Sequence, residues 1–328
     1  MTEDKKRLII IDSNALIHRA YHALPPLTTK KGELVNAIYG FLLVFLKAIK
    51  EFKPDFVAAT FDFPAPTFRH QKYKLYKATR EKAPEELYQQ IPKVKEVLKG
   101  FNVQIFEKQG FEADDLIGTI SKKAPKKQVL PEIETIILTG DLDALQLVDK
   151  NTKVYSLRKG VKDAVLYDKE KVKEKYQGLT PEQLTDFKAL RGDPSDNIPG
   201  VLGVGEKTAI DLIKKFGFLE NLYQELKDNT EKAKEIKQSL RKKLLDYKEQ
   251  AFVSKMLAEI RYDVPIEFDL KKCRWGKYDK EKVVKIFRNY EFKTLIDRLP
   301  ESQNKKEPSS EAEASEENSP IKNNLSLW

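Results

Sequence analysis

Nine carboxylates fall at places from which they could share one site. The runs RLIIID, DFVAATFD and ETIILTGDLD carry Asp12, Asp62 and Asp141 at the ends of apolar, β-branched stretches, with Asp143 two residues further on. FEADDLIGTI opens a helical pattern with Glu112, Asp114 and Asp115, and RGDPSDNIPG supplies Asp193 and Asp196. Taken singly, each has a structural explanation: aspartate after a strand caps the next helix, acids in a first turn favour its dipole, and D-P-S-D-N is good turn chemistry. Crowded at one edge, however, carboxylates raise one another's pKa unless cations neutralise them. Oxygen-only ligands suit Mg²⁺ or Mn²⁺, and two such ions can drive water in line against a phosphodiester without a nucleophilic side chain.

For these acids to meet, the apolar runs must lie parallel and end together. Arg7–Asp12, Asp55–Asp62, Phe101–Phe106 and Glu134–Asp141 read as strands, separated by helical patterns at Asn36–Phe52, Glu85–Lys99 and Ala113–Lys123. Such alternation predicts an α/β fold with a parallel sheet covered on both faces, and ligands gather at the carboxyl ends of its strands. Beyond Gly178 the chain reads as helical to about Pro300, which places a boundary near 178 and predicts two modest domains, each with its own core.

The chain carries 60 Lys and Arg against 51 Asp and Glu, a net charge of +9. Residues 301–328 hold six Glu and three Lys, so the remainder is at +12, a balance suited to a polyanionic partner. One cysteine, Cys273, excludes an internal disulfide, and three histidines argue against a histidine metal centre. No apolar run predicts a membrane span or signal peptide, so a soluble, cytoplasmic protein is expected.

Two segments suit nucleic acid. TFRHQKYKLYKATREK (Thr67–Lys82) interleaves six basic residues with Phe68, Tyr73 and Tyr76, a pattern for stacking bases and holding phosphates, although a solvated lysine-rich loop has the same composition. In IPGVLGVGEKTAIDLI (Ile198–Ile213), Gly200, Gly203 and Gly205 allow close backbone approach. The helix starting at Glu206 would then aim its N–H groups at a phosphate, with Lys207 beside them.

Six motifs in order, IIIDSNALIHRAYHAL, FDFPAPTFRH, YKATR, FEADDLIGT, TGDLDALQLV and RGDPSDNIPGVLGVGEKTA, resemble the 5′-nuclease family over about residues 6–300. The similarity is greatest to the N-terminal 5′→3′ exonuclease domain of bacterial DNA polymerase I. The resemblance implies a Rossmann-like, PIN-like nuclease domain with a helical arch at about 67–90, then an α-helical domain with a helix-hairpin-helix at about 197–215. It implies a flap endonuclease-like enzyme removing 5′ flaps and RNA primers in DNA replication and repair. The family's metal-site acids fall on the same nine residues, with Asp12, Asp62, Glu112, Asp114, Asp115 and Asp141 around the catalytic ion and Asp143, Asp193 and Asp196 toward the second. Arg69, Lys77 and Arg80 match basic residues at the scissile phosphate, Tyr76 matches a stacking aromatic, and the hairpin is implied to hold duplex DNA through a K⁺ ion. Leu142 and Phe63-Pro64 depart from the family pattern, residues near Lys126–Glu132 suggest a lengthened loop, and no polymerase follows residue 300.

The tail 301–328 is predicted to be a disordered linker. Its NLSLW (Asn324, Leu325, Ser326, Leu327, Trp328) resembles the bacterial sliding-clamp-binding pentapeptide, which would recruit an otherwise monomeric, nucleoid-associated nuclease; a chance hydrophobic end is the alternative. Two further readings compete with the nuclease. A non-catalytic DNA-structure binder would be favoured by loss of metal acids, and a PIN-type RNA nuclease would lack Ile198–Ile213.

Overall fold

A computed structural model describes residues 5–124, 132–157 and 163–302. The NLSLW peptide, nearly all of the tail and most of the lengthened loop lie outside the described residues. The sheet strands are β1 (Lys6–Asp12), β2 (Phe56–Thr60), β3 (Gln104–Phe106), β4 (Ile133–Thr139), β5 (Thr152–Leu157) and β6 (Ala164–Tyr167). Their spatial order is β3-β2-β1-β4-β5-β6. β1 pairs in parallel with β2 on one side and β4 on the other, aligning Ile11 with Ala59 and Leu138. The chain thus reverses its direction of travel across the sheet at β1, where a crevice opens beyond the strand ends.

The last two strands were not foreseen, and they make the sheet mixed, because β6 runs antiparallel to β5. Only six residues separate them, too few for the crossover that a parallel return requires.

The first helices are α1 (Ser13–Ala23), α2 (Asn36–Phe52), α3 (Phe68–Lys72), α4 (Glu85–Tyr88), α5 (Ile91–Gly100) and α6 (Ala113–Lys123). The single helix expected at 85–99 is two pieces, and α5 begins with Pro92 in its first turn, where the missing N–H costs nothing. Between them Gln90, fully buried, accepts hydrogen bonds from Ala37 N (2.9 Å) and Ile38 N (3.3 Å), filling the cap that α2 lacks. The expected helical arch is also corrected: after the five residues of α3, the chain from Tyr73 to Pro84 runs in turns and coil. From it Lys77 and Arg80 reach down to the carboxylates of Glu112 and Asp196.

The later helices are α7 (Lys169–Lys175), α8 (Leu184–Arg191), α9 (Glu206–Phe216), α10 (Leu219–Asp228), α11 (Glu231–Lys234), α12 (Gln238–Asp246), α13 (Lys248–Ala258), α14 (Lys280–Asn289) and α15 (Lys293–Ile296). They do not enclose a separate core. Leu8, Ile10, Ala58 and Ile137 share one continuous buried cluster with Phe187, Leu190, Ile210, Ile213 and Leu222, so α8, α9 and α10 pack onto one face of the sheet. The alternate residues Ile9, Ile11, Val57 and Leu138 point to the opposite face, where they pack with α1, α2 and α5. There they meet the chain's end as well: Trp275 N donates to Asp55 O (2.8 Å), and Phe287 and Leu295 join that second core. Among the described residues no helix is long and apolar enough to cross a membrane.

Candidate active site

Strand geometry assembles the cleft. Asp12 is the last residue of β1, Asp62 lies two residues past β2, and Asp141 two past β4. Asp12 caps α1, accepting from Ala15 N (3.1 Å), and its other oxygen accepts from Thr139 Oγ1 (2.6 Å). Asp62 accepts from Ala113 N (2.7 Å), which anchors the start of α6 beside β2. Glu112 caps α6 and is mostly buried, so the local rules that explain each acid singly also aim them into one crevice.

Burial, opposed by the hydrogen bonds from Thr139 and Ala15 and aided by Asp141 and Asp62, pushes the Asp12 carboxyl up to about 7. Asp114 is raised well above the ordinary carboxylate range by burial and by Asp12 and Asp141. Asp62 shifts upward through burial, with Glu112 adding to it, and Asp143 rises to about 6 through burial and Asp141. These are acids whose charges the fold holds close together at a cost.

Basic side chains balance the remainder. Lys77 Nζ lies 3.0 Å from Glu112 Oε2, and Arg80 pairs with Asp196 while its Nε donates to Ser195 O (3.2 Å). Lys188 pairs with Asp143 and lies 2.7 Å from Asp193 Oδ2. Burial opposes ionisation of Asp193, but Lys188 and Ser195 outweigh it and hold that acid at about 2. Lys77 adopts a left-handed backbone (φ 56°), and its N–H donates to Asp196 O (2.9 Å), which folds the basic segment against the hairpin loop.

Three expected site residues are placed differently. Arg69 is 2% exposed and grips Asp115 through two hydrogen bonds of 2.8 Å, while donating to Leu257 O and Glu259 O. Asp115, fully buried, also accepts from Glu112 N and Arg261 N, so both its oxygens are committed to protein donors. Arg69 therefore cannot reach a phosphate here, nor Asp115 an ion; together they lock the basic segment, α6 and the end of α13. Tyr76 is buried, edge-on to His70, and its hydroxyl donates to Glu112 and Asp196, so its ring offers no stacking face.

Lys188, Ser195 and Thr139 hold site acids but escaped sequence reading, because one lysine in a chain with 60 Lys and Arg carries no signal of its own. A cleft of about 590 Å³ adjoins Asp141, lined by His18, Arg19, His22, Arg80 and Ser195. The i, i+4 spacing of His18 and His22 could have flagged that wall.

In the hairpin between α8 and α9, Gly200 has φ 63° and a Cβ there would lie 2.3 Å from Gly192 N, while Gly203 has φ 79°. Gly205 has an ordinary backbone with open space around it, and Lys207 is exposed at the start of α9.

Among the described residues no group of three or more His, Cys, Asp or Glu side chains is arranged to hold a metal ion. The donor chemistry nevertheless fits hard divalent cations: oxygen ligands from separate elements, raised in pKa by burial and by one another, beside acids that already draw in lysine and arginine.

Strand-end acids at a sheet switch point, a basic segment folded over them and a glycine hairpin alongside define a nuclease-type α/β architecture. Two family descriptions cover the chain: "5′-3′ exonuclease, N-terminal resolvase-like domain" over residues 7–177 and "5′-3′ exonuclease, C-terminal SAM fold" over residues 179–281. The chain belongs to the 5′-3′ exonuclease family. It is 43% identical over 301 residues to DNA polymerase I of Bacillus subtilis (strain 168), covering 92% of this chain and 33% of that protein. It is 44% identical over 297 residues to DNA polymerase I of Caldicellulosiruptor bescii, covering 89% and 33%. The chain thus spans about a third of these curated relatives. The fold also matches a zinc-bound T5 5′-exonuclease, with TM-score 0.62, 19% identity and coverage of 90% of this chain and 100% of that one. It matches the catalytic core of Rad2 in complex with DNA substrate, with TM-score 0.56, 18% identity and coverage of 90% and 93%.

Proposed function

We propose that the chain is a structure-specific 5′→3′ exonuclease and 5′-flap endonuclease that hydrolyses DNA phosphodiesters with two divalent cations, Mg²⁺ in the first place and Mn²⁺ as a substitute. The observation that carries this is the convergence of Asp12, Asp62 and Asp141 beyond three adjacent parallel strands, with Asp114 among them. Asp12, Asp62, Glu112, Asp114 and Asp141 would hold the first ion, and Asp143, Asp193 and Asp196 the second; when bound, the ions would supply activated water and charge neutralisation. Lys77 and Arg80 stand at the cleft edge, where a phosphate would compete with Glu112 and Asp196 for them and leave those acids free. The T5 and Rad2 neighbours, described as bound to zinc and to DNA substrate respectively, lend support to metal dependence and a DNA partner.

The glycine hairpin and Lys207 would grip the duplex beside the cleft, with a K⁺ ion as the implied aid. Removal of 5′ flaps and RNA primers in replication and repair is the role this reading implies, for a monomer in the bacterial cytoplasm near the nucleoid. Recruitment to a sliding clamp through Asn324–Trp328 is proposed on the sequence pattern alone. The decisive experiment is cleavage of a labelled 5′-flap substrate with Mg²⁺ or with EDTA, comparing the natural protein with Asp114→Ala and Asp141→Ala. Cutting in EDTA, or normal rates in both variants, would overturn the reading in favour of a DNA-structure binder or another chemistry.

A further inference from the structure

We infer that Lys188 is an intramolecular counter-ion that competes with a divalent cation for Asp143 and Asp193 and so sets the affinity of the second metal position. The inference rests on the metal reading above. Lys188 projects from the last turn of α8, five residues before Asp193. Its ammonium is paired with Asp143 Oδ1 and lies 2.7 Å from Asp193 Oδ2, with only 13% of the side chain exposed. The two acids come from different parts of the fold, Asp143 from the turn after β4 and Asp193 from the loop after α8, and this single cation joins them.

An ammonium on a flexible four-carbon stem satisfies two carboxylates with one charge and three donors. A Mg²⁺-sized ion brings two charges and needs oxygen at about 2.0–2.1 Å. Both cannot occupy the space between Asp143 and Asp193. Asp193 is held independently of the lysine, because its Oδ1 accepts from Ser195 N (3.0 Å) and Ser195 Oγ (2.6 Å). Asp143 is held through its own N–H, which donates to Asp141 Oδ1 (2.9 Å). The Asp193 carboxylate and the Asp143 backbone can therefore keep their places while the lysine swings aside, so an incoming ion displaces a cation from ligands already positioned beside each other. At the first position Lys77 pairs closely with one ligand, Glu112 (3.0 Å), and Asp12 and Asp114 lie chiefly among other carboxylates, whereas Lys188 bridges both Asp143 and Asp193 at the second. The second ion should accordingly bind more weakly than the first.

The test is Mn²⁺ binding to the full chain, followed by calorimetry and by the loss of free-Mn²⁺ paramagnetic resonance. The natural protein should show a tight and a weak class of site. Lys188→Met and Lys188→Gln should each tighten the weak class by roughly tenfold or more, since a fixed positive charge is removed at contact distance. Lys188→Arg, which keeps the charge, should stay near the natural affinity. Two classes of site with the weak one unchanged or weakened in both neutral variants would overturn the inference alone. No Mn²⁺ binding by the natural protein would overturn both it and the metal reading.

Discussion

Arg69 and Asp115 face each other as a closed fork in the interior, Nη1 to Oδ2 and Nη2 to Oδ1 at 2.8 Å each, with the arginine 2% exposed and the aspartate fully buried. Removing one partner of such a pair strands the other charge away from water, typically at about 3–5 kcal/mol. Arg69→Ala and Asp115→Asn should therefore lower unfolding free energy by that order in denaturant titrations. Arg69→Lys should also fall short, because an ammonium cannot reproduce the two-pronged contact. Were Arg69 mainly a phosphate contact, Arg69→Ala would leave stability within about 0.5 kcal/mol, as surface substitutions do.

Asp12 makes stability depend on pH in the opposite sense to a salt-bridged carboxylate. Its folded pKa, about 7, lies above its ordinary value of 3.8, mainly through burial. The folded form therefore binds more protons between those values. Its contribution is fully present below about 4 and is lost as pH rises through about 7. Without divalent ions, thermal unfolding should show the natural protein losing roughly 2–4 kcal/mol relative to Asp12→Asn between pH 4 and pH 8. Adding Mg²⁺ at pH 8 should restore much of that difference, because ligands that bind only the folded state stabilise it. A difference independent of both pH and Mg²⁺ would contradict this account.

Trp275 ties the last segment of the described chain to α2, the start of β2 and the end of α5. The indole packs 5.6 Å from the Phe45 ring and 5.8 Å from Phe101, and its N–H backbone group donates to Asp55 O. Trp275→Ala should cost about 3–5 kcal/mol of unfolding free energy. It should do so in a single cooperative transition seen equally by circular dichroism and tyrosine fluorescence, since the segment from Arg274 to Pro300 closes the sheet's second core. Two separated transitions would instead indicate independently folding halves.

How far the sequence foretold this arrangement follows from which forces act locally. Asn36–Phe52 and Ala113–Lys123 were legible to the residue because apolar periodicity and strand-end aspartates are local signals. The strands leading to Asp12 and Asp141 were legible to within one or two residues, β1 starting at Lys6 and β4 ending at Thr139, two residues before Asp141. TKVYSL and AVLY, short and mixed in polarity, form strands only because a neighbouring edge receives each of them, β4 for the first and β5 for the second. The same limit applies at the cleft: a basic residue's type says that it carries charge, not which acid receives it. Arg69 turned inward to Asp115, Tyr76 to Glu112, and Lys188 across to Asp143, all through contacts more than thirty residues apart in sequence.

The hairpin glycines separate a backbone requirement from a composition habit. At Gly200 the left-handed φ of 63° and the 2.3 Å approach of Gly192 N leave no room for a methyl group, whereas Gly205 has φ −88° and nothing within 4 Å. Gly200→Ala should thus distort the loop carrying Asp193 and Asp196, weakening both duplex binding and cleavage by at least about tenfold, a loss of roughly 1.4 kcal/mol. Gly205→Ala should bind nicked duplex within about twofold of the natural protein, since an exposed Cβ at an ordinary φ is tolerated. Lys207→Ala should lower affinity uniformly across sequences and reduce the slope of log K against log salt by about one, as loss of one phosphate contact does. Fluorescence anisotropy in EDTA at several salt concentrations reads all three. If Gly205→Ala proves as damaging as Gly200→Ala, the hairpin must meet DNA through the backbone at Gly205, where a methyl group would intrude on the phosphate and not on the protein.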